Sequence, residues 1–465
     1  MSYFPVSIIE VKNRIAKKYS KRSLRTSLFP QYDGDAFVEK VENNFGEELV
    51  RVEGNIPHSL KIMNGDRFLF ISKDQSKFTH GLHKYPAKFF PELPRWLINK
   101  YSLPDQIILD PFSGSGTTNV EAMLLGRHSV GVDVDPFAHL LAVVKTTPIS
   151  AERLRFFADP LIKELINYRP EFVPVQDLPN FPYRDNWFND YILKELSFIK
   201  KLINRDISDL QVRNFFLIVF SSVIRSVSNA DDNCTRTVVR KSLNKEIYPA
   251  MALTKFVENL LLNIYRMEEF CEAVPSNIRT IFPKNSEARS IEYQNQYFDF
   301  ALTSPPYANA VDYPRTHQLE IYWLDIANGS LRDLKESHVG TEVVRSSDYK
   351  IFHKTGYHDI DEVLSQIFYL DDRRSYIAYK FIMDMRANLI EVHRVLKQGA
   401  YYAVVIGNNR IRGVLFESWK YLMTMADDLG FEIESYFGSE IIKHFIKVPR
   451  GERINTDWII ILRKK

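Results

Sequence analysis

Cysteine is scarce in this chain of 465 residues, which has only Cys234 and Cys271. Two thiols can build neither a disulfide framework nor a four-thiolate zinc site. The count suits a reducing compartment, and no metal centre is expected. Long apolar runs are missing as well: none approaches the roughly 20 residues that cross a bilayer. The opening MSYFPVSIIEVKNR lacks the basic-then-apolar order of a signal peptide. The expected location is therefore cytoplasmic, with no membrane partner. No internal repeat or low-complexity tract stands out. Net charge is small too, and +3 does not by itself identify a polyanionic partner.

What the chain does have is apolar material. Hydrophobic residues make up 45% of it, enough to fill the cores of two or three compact units. Charge is unevenly spread: Lys12, Arg14, Lys17, Lys18, Lys21, Arg22 and Arg25 follow one another with no acid among them. That run reads either as a tracker of a phosphate backbone or as a solvated helix face.

Texture divides the chain into four stretches. Residues 1–75 are mixed in pattern and form an N-terminal extension, a candidate DNA contact. Residues 76–150 bring aromatic and proline-rich HGLHKYPAKFFPELPRWLINKY, then the apolar run QIILD, a helical NVEAMLLG and a second strand HSVGVDVD, which together make a βαβ unit. Over residues 151–280 the apolar residues recur at helical spacing, as in DNWFNDYILKELSFIKKLI and VRNFFLIVFSSVIRSV, so this stretch reads as a helical insertion. Residues 281–465 return to strands at FDFALT, AYYAVVIGN, FEIESYF and DWIIILRK, with a helix through FIMDMRANLIEVHRVLKQG. Strands alternating with helices predict an open, mainly parallel α/β sheet.

Two strings carry chemistry. In ILDPFSGSGTTNVEA an apolar strand ends at Asp110, and Gly114 and Gly116 precede a helix. Glycines let backbone approach a ligand closely, and a helix N-terminus offers unpaired amide donors. It is not the dinucleotide GxGxxG string, because Thr117 and Thr118 stand where that motif continues to its third glycine. The next strand ends near Asp133, where a carboxylate can accept both hydroxyls of a ribose. Together these favour an adenosine-containing ligand. In FDFALTSPPY a strand runs into Pro305 and Pro306, which cannot continue a central ladder and so lie just past its carboxyl end. Ser304 brings a hydroxyl there, and Tyr307 a ring that can lie against a planar group.

With both strings in one chain, the sequence resembles the amino-methyltransferases of DNA, whose cofactor motif has the form DPFxGSGTT and whose catalytic motif is SPPY or DPPY. The resemblance runs from about Phe78 to Lys465, apart from the helical insertion. It implies a Rossmann-like S-adenosylmethionine-dependent methyltransferase sheet, with S-adenosylmethionine as cofactor and double-stranded DNA as substrate. The implied cofactor residues are Asp110, Pro111, Phe112, Ser113, Gly114, Gly116, Thr117, Thr118, Asp133 and Val134. HKYPAKFFP resembles the segment that closes over the methionine end, which adds Tyr85, Pro86, Ala87 and Lys88. NSEARS resembles a short GDAR-like segment, although without its glycine, and brings in Glu287. The implied catalytic residues are Ser304, Pro305, Pro306 and Tyr307. NAVDYPRTHQLEIYWL resembles a stretch of some cytosine N4 enzymes, in which Asp312 and Arg315 either meet target and DNA or form an ordinary ion pair.

In the family SPPY mostly accompanies methylation at cytosine N4 and DPPY at adenine N6, so Ser304 tilts the expectation to cytosine. Such an enzyme would be the modification partner of a cognate restriction endonuclease. An exocyclic amino nitrogen is a poor nucleophile because its lone pair is delocalised into the ring. If Ser304 Oγ and the Pro305 carbonyl each accept one amino hydrogen, the pair is freed for direct displacement. The base must first leave the duplex stack. Methylation at C5 of cytosine is excluded, since it needs a cysteine nucleophile and neither cysteine lies near the motifs. Sequence reading is expected from the insertion, where Arg225, Arg236, Arg240, Lys241 and Lys245 cluster; a solvated loop is the alternative. Adenine N6 methylation, guanine amino methylation in RNA and an inactive nucleic-acid-binding module are the competing functions.

Overall fold

Strands with apolar residues at every position must be covered on both faces, and the sheet here is sandwiched accordingly. The computed structural model describes residues 37–42, 46–240, 244–284, 286–308, 312–326, 330–441 and 456–465. The basic run from Lys12 to Arg25, together with Lys241 and Asn285, lies outside the described residues. The strands are β1 (Phe37–Glu42), β2 (Glu48–Glu53), β3 (Arg67–Ile71), β4 (Ile107–Asp110), β5 (His128–Gly131), β6 (Thr280–Ile281), β7 (Phe298–Thr303), β8 (Leu396–Gly407), β9 (Asn409–Ile411), β10 (Val414–Phe416), β11 (Phe431–Glu440) and β12 (Thr456–Lys464). All but the β9–β10 hairpin belong to one sheet in the order β1-β2-β3-β11-β12-β8-β7-β4-β5-β6.

Strands β6, β5, β4, β7 and β8 run parallel, while β12 is antiparallel to both β8 and β11. This is an α/β, Rossmann-like sheet. From β4 the chain moves outward to β5 and β6, then returns to lay β7 on the other side of β4. The crevice outside the carboxyl ends of β4 and β7 is therefore a topological switch point, where open α/β sheets bind ligands.

Alternation along each strand supplies two different cores. Phe300, Leu302, Ala403, Val405, Ile459 and Ile461 face α1 (Glu92–Tyr101). Ala301, Tyr402, Val404, Ile460 and Leu462 face the other way, onto the long helix Asp372–Val395 and the helix Ser418–Asp428. A third core is helical. It joins α2 (Thr117–Leu124) and α3 (Pro136–Lys145) to α4 (Ala151–Ile166), α5 (Asp190–Asp206), α6 (Leu210–Ile224) and α7 (Met251–Ala273). In α5 the buried residues Ile192, Leu196, Ile199 and Ile203 recur every three or four positions, the stripe that pins a helix to a core. Buried Glu195 accepts from Ala250 N (2.6 Å) and Ala252 N (3.0 Å), so α5 caps the otherwise unpaired N-terminus of α7.

Two expectations change. The stretch Leu210–Val227 spans 18 residues and is apolar and long enough to cross a membrane by length and composition. Here Phe215, Phe216, Val219 and Val223 pack it into the helical core. Residues 37–71, which show no readable pattern in sequence, extend the sheet through β3, parallel to β11 at Gly438↔Arg67.

Candidate active site at the switch point

Parallel pairing of Ile108 with Phe300 and Leu109 with Ala301 brings the ends of β4 and β7 side by side. The last residues of the two strands are bonded to each other: Thr303 Oγ1 donates to Asp110 Oδ1 at 2.6 Å. The loop after Asp110 and the proline turn after Thr303 thus leave the same sheet edge from adjacent positions. The glycine loop is held from several directions. Ser113 N donates to the Val132 carbonyl (2.9 Å), Gly116 N to that of Ser113 (2.7 Å), and Gly114 N to Asp133 Oδ2 (2.8 Å). Gly116 has φ +75°, and a Cβ there would stand 2.9 Å from Ala142 Cβ. Only glycine lets α2 begin so close to α3. Fully buried Lys145 at the end of α3 donates to the Ser115 carbonyl at 2.6 Å.

Between the two loops lies a cavity of about 830 Å³, counted with its open mouth. Of the expected cofactor residues, Tyr85, Lys88, Asp110, Pro111, Phe112, Ser113, Gly114, Thr117, Thr118, Asp133, Val134 and Glu287 line it. Gly116 does not; it sits beneath the loop against Ala142. Ser304 and Pro306 line the same cavity, while Pro305 and Tyr307 fall outside its wall. The Tyr307 hydroxyl instead donates to Asp457 Oδ1 of β12 at 2.8 Å.

The electrostatics of this wall are uneven. Burial pushes the carboxyl of Asp110 up to about 6, against its bonds to Thr303, Thr118 and Phe112 N. Burial, then the charge of Asp135, does the same for Asp133, also to about 6. Ser113 Oγ and Ser115 Oγ are buried in the wall without a partner. Unpaired hydroxyls and half-desolvated acids beside a helix N-terminus suit a ligand with several hydroxyls and a positive centre, as S-adenosylmethionine has. Lys88 donates to the carbonyls of Gln75 and His80, both at 3.2 Å, and burial followed by the charge of Arg266 lowers its ammonium to about 8. Glu287 is gripped by Arg289 through both carboxylate oxygens, at 3.0 and 2.8 Å, and Arg289 reaches on to Asp384.

Sequence reasoning missed several wall residues. Tyr313 stacks on Tyr85 (5.8 Å between centroids), which stacks in turn on His317 (4.9 Å). Tyr313 and His317 belong to the NAVDYPRTHQLEIYWL stretch, so their region was flagged although their side chains were not. His338 stands 3.5 Å from Asp135 Oδ2 and lines the cavity; no local signal marks it, because it arrives from a distant helix end. Asp312 caps the short helix Tyr313–Thr316 and takes Lys335 Nζ at 2.7 Å, while Arg315 is exposed.

The basic residues singled out in the insertion divide. Arg225 donates to the carbonyls of Asp231 (2.9 Å), Thr235 (3.3 Å) and Arg236 (3.3 Å), and Lys245 to those of Arg225 and Ala230, both at 3.0 Å. These two fold their own loop. Arg240 pairs with Asp231 at 3.2 Å, and Arg236 is exposed. The loop borders the site, since Thr237 Oγ1 donates to the Thr316 carbonyl at 2.6 Å.

Comparison with known proteins agrees with this geometry. A protein-family model described as DNA methylase, for N6 and N4 methyltransferases, matches residues 8–143. The type II methyltransferase M.MvaI of Kocuria varians is 26% identical over 377 residues, covering 76% of this chain and 82% of that protein. M.BsoBI of Geobacillus stearothermophilus, also a type II methyltransferase, is 25% identical, with 78% and 80% covered. Over most of its length the chain is similar to type II methyltransferases, and its N-terminal part to the N6 and N4 DNA methylase family. The cavity and the residues that line it fit S-adenosylmethionine as the cofactor. Among solved structures, an S-adenosylmethionine-dependent methyltransferase from Methanosarcina mazei aligns over 82% of this chain and 98% of its own at 12% identity and a TM-score of 0.30.

Proposed function

We propose that this protein is the site-specific modification methyltransferase of a restriction-modification system, acting on N4 of cytosine in double-stranded DNA in the cytoplasm. The observation that carries the reading is the shared cavity: Ser304 and Pro306 of the proline turn line the same space as Asp110, Asp133 and the glycine loop. Bound there, S-adenosylmethionine supplies an electrophilic methyl group on a sulfonium.

The chain's own residues then have distinct tasks. The amides that open α2 and the acids Asp110 and Asp133 hold the cofactor and orient its methyl group toward the turn. Ser304 Oγ and the Pro305 carbonyl each accept an amino hydrogen of a base turned out of the duplex, which localises the nitrogen lone pair. The stacked Tyr85 and Tyr313 close one side of the cavity and exclude water. Serine at the head of the turn favours cytosine over adenine. The exposed Arg236 and its neighbours in the insertion are the segment we assign to reading DNA, with a cognate endonuclease as the genetic partner.

The test is to incubate the purified protein with S-adenosylmethionine and a mixed-sequence plasmid, digest to nucleosides, and identify the product by mass spectrometry. N4-methylcytosine is the expected product, and its context gives the recognition sequence. N6-methyladenine would move the reading to the adenine enzymes, and methylation of RNA alone would overturn it.

A further inference from the structure

Methylating an amino group leaves a proton to be removed, and the residues assigned so far include no base for it. A serine hydroxyl can pass a proton on but cannot keep one. Behind Ser304, however, the structure continues. The Ser304 hydroxyl neighbours the Tyr307 hydroxyl, and Tyr307 Oη donates to Asp457 Oδ1 at 2.8 Å. Asp457 reaches this point because β12 is the reversed strand: its register places Asp457 opposite Gly407 of β8 and Ser439 of β11, at the end of the sheet where the turn after β7 lies.

Resting on the methyltransferase reading above, we propose that Ser304, Tyr307 and Asp457 form a proton exit path, with Asp457 as the acceptor at its end. As the nitrogen–carbon bond forms, the carbon–sulfur bond breaks and its electron pair stays on sulfur. The nitrogen, now positive, gives a proton to Ser304 Oγ; the Ser304 hydroxyl proton moves to Tyr307 Oη, and the Tyr307 proton to Asp457 Oδ1. Asp457 works through Tyr307 and touches neither substrate. The charged groups around it leave it free to accept. From β11, Glu440 repels its charge, and from β3, Arg67 is engaged by Glu440 at 2.9 Å. β8 faces it with Gly407. Burial, the largest influence, moves its carboxyl up to about 6, so it is ionised at neutral pH yet basic enough to take a proton.

The test is single-turnover methyl transfer to plasmid DNA by the full chain between pH 5 and 9, for the wild type, Tyr307→Phe, Asp457→Asn and the double variant. Tyr307→Phe removes one oxygen and keeps the ring, so it is informative even if Asp457→Asn fails to fold. The wild-type rate should rise through about pH 6 and level off. Each single variant should be slower by about 100-fold, should lose the rising limb, and should bind S-adenosylmethionine as the wild type does. The double variant should be no slower than either single one, because all three interrupt one path. A rising limb that survives in Asp457→Asn or Tyr307→Phe, or losses that multiply in the double variant, would overturn the relay while leaving the methyltransferase reading intact. A wild type that transfers no methyl group to DNA would overturn both.

Discussion

Two groups of buried acids stand on either side of the glycine loop, and their surroundings treat them in opposite ways. Behind the loop, Glu121 of α2 is fully buried and fully paired: Arg95 donates to both its oxygens, at 2.8 and 3.0 Å, and His80 Nε2 meets it at 2.8 Å. Burial works against its charge, but Arg95 and then His80 outweigh it and hold the carboxyl below its ordinary range. Burial moves the imidazole of His80 down to about 4, so it is neutral at pH 7 and donates Nε2–H. In front of the loop, Asp110 and Asp133 have hydroxyl and amide partners only, and both carboxyls sit near 6. The paired acid ties α2 to α1, and those without a cation face the cavity. Acids left without a cation at a cavity wall mark the place that a ligand completes.

The sharpest way to break this contrast is to remove the paired acid's charge. Glu121→Gln leaves the half-buried Arg95 beside a neutral amide, and the expected cost is about 3 kcal/mol of folding stability, read as a lower urea midpoint. Because the Glu121 carboxyl is lowered in the fold, its contribution is present above the unfolded value near 4.3 and fades as pH falls through the folded one. The deficit of the variant should therefore shrink in acid. An unchanged midpoint at pH 7 would mean that the pair behind the loop contributes nothing.

Asp133→Ala should reverse the balance, sparing the fold and weakening the cofactor. A charged hydrogen bond to a ligand contributes about 1.5–3 kcal/mol, so the Kd for S-adenosylmethionine by calorimetry should rise roughly 10- to 100-fold. Part of that comes from the loop, since Gly114 N and Asp135 N both lose their acceptor. Equal affinity in the variant would remove Asp133 from the site.

The same contrast explains what the sequence made legible. A site built at a switch point is written in short strings, because strand end, tight loop and helix start are contiguous; Asp110, Gly114 and Ser304 could be read that way. The sheet strands FDFALT and DWIIILRK announced themselves by apolar runs. Residues whose role depends on distant pairing were silent. Glu121 looks like any helix acid, and Asp457 looks like a strand-start acid until β12 lies beside β8. His338 enters the wall from a segment that carries no motif of its own, and Tyr313 from a stretch flagged for Asp312 and Arg315 rather than for its ring. Strand β6 has two residues, too few for a period to appear. Strand β1 marks no inner face because Phe37 and Val38 at the sheet edge stay exposed, and β3 is too short for the alternation of its buried Phe68 and Phe70 to stand out. In the insertion, spacing located the helices but could not tell a lysine that folds its own loop, such as Lys245, from an exposed arginine such as Arg236.

The smallest effect is the most specific, because it runs against the usual direction of mutations. Asp110 is buried with its carboxyl raised to about 6, so ionising it at neutral pH costs the empty protein stability. For a raised acid the sign is fixed: stability is fullest below the unfolded value, near 3.9, and is lost as pH climbs through the folded one. Asp110→Asn keeps Oδ1 for Thr303 and Phe112 N and turns the other oxygen into a donor beside Thr118, whose hydroxyl oxygen can accept. A carboxyl near 3.9 when unfolded and about 6 when folded corresponds to roughly 3 kcal/mol, and one weakened hydrogen bond takes back about 1. The variant should thus be about 1–2 kcal/mol more stable than the wild type at pH 8 without cofactor, and slightly less stable than it near pH 4. Saturating S-adenosylmethionine should favour the wild type, because ligand binding adds stability only in proportion to affinity. A variant less stable at pH 8, or a gain that persists in acid, would show that Asp110 belongs with Glu121 as a structural acid and that the cavity is not electrostatically prepared for its cofactor.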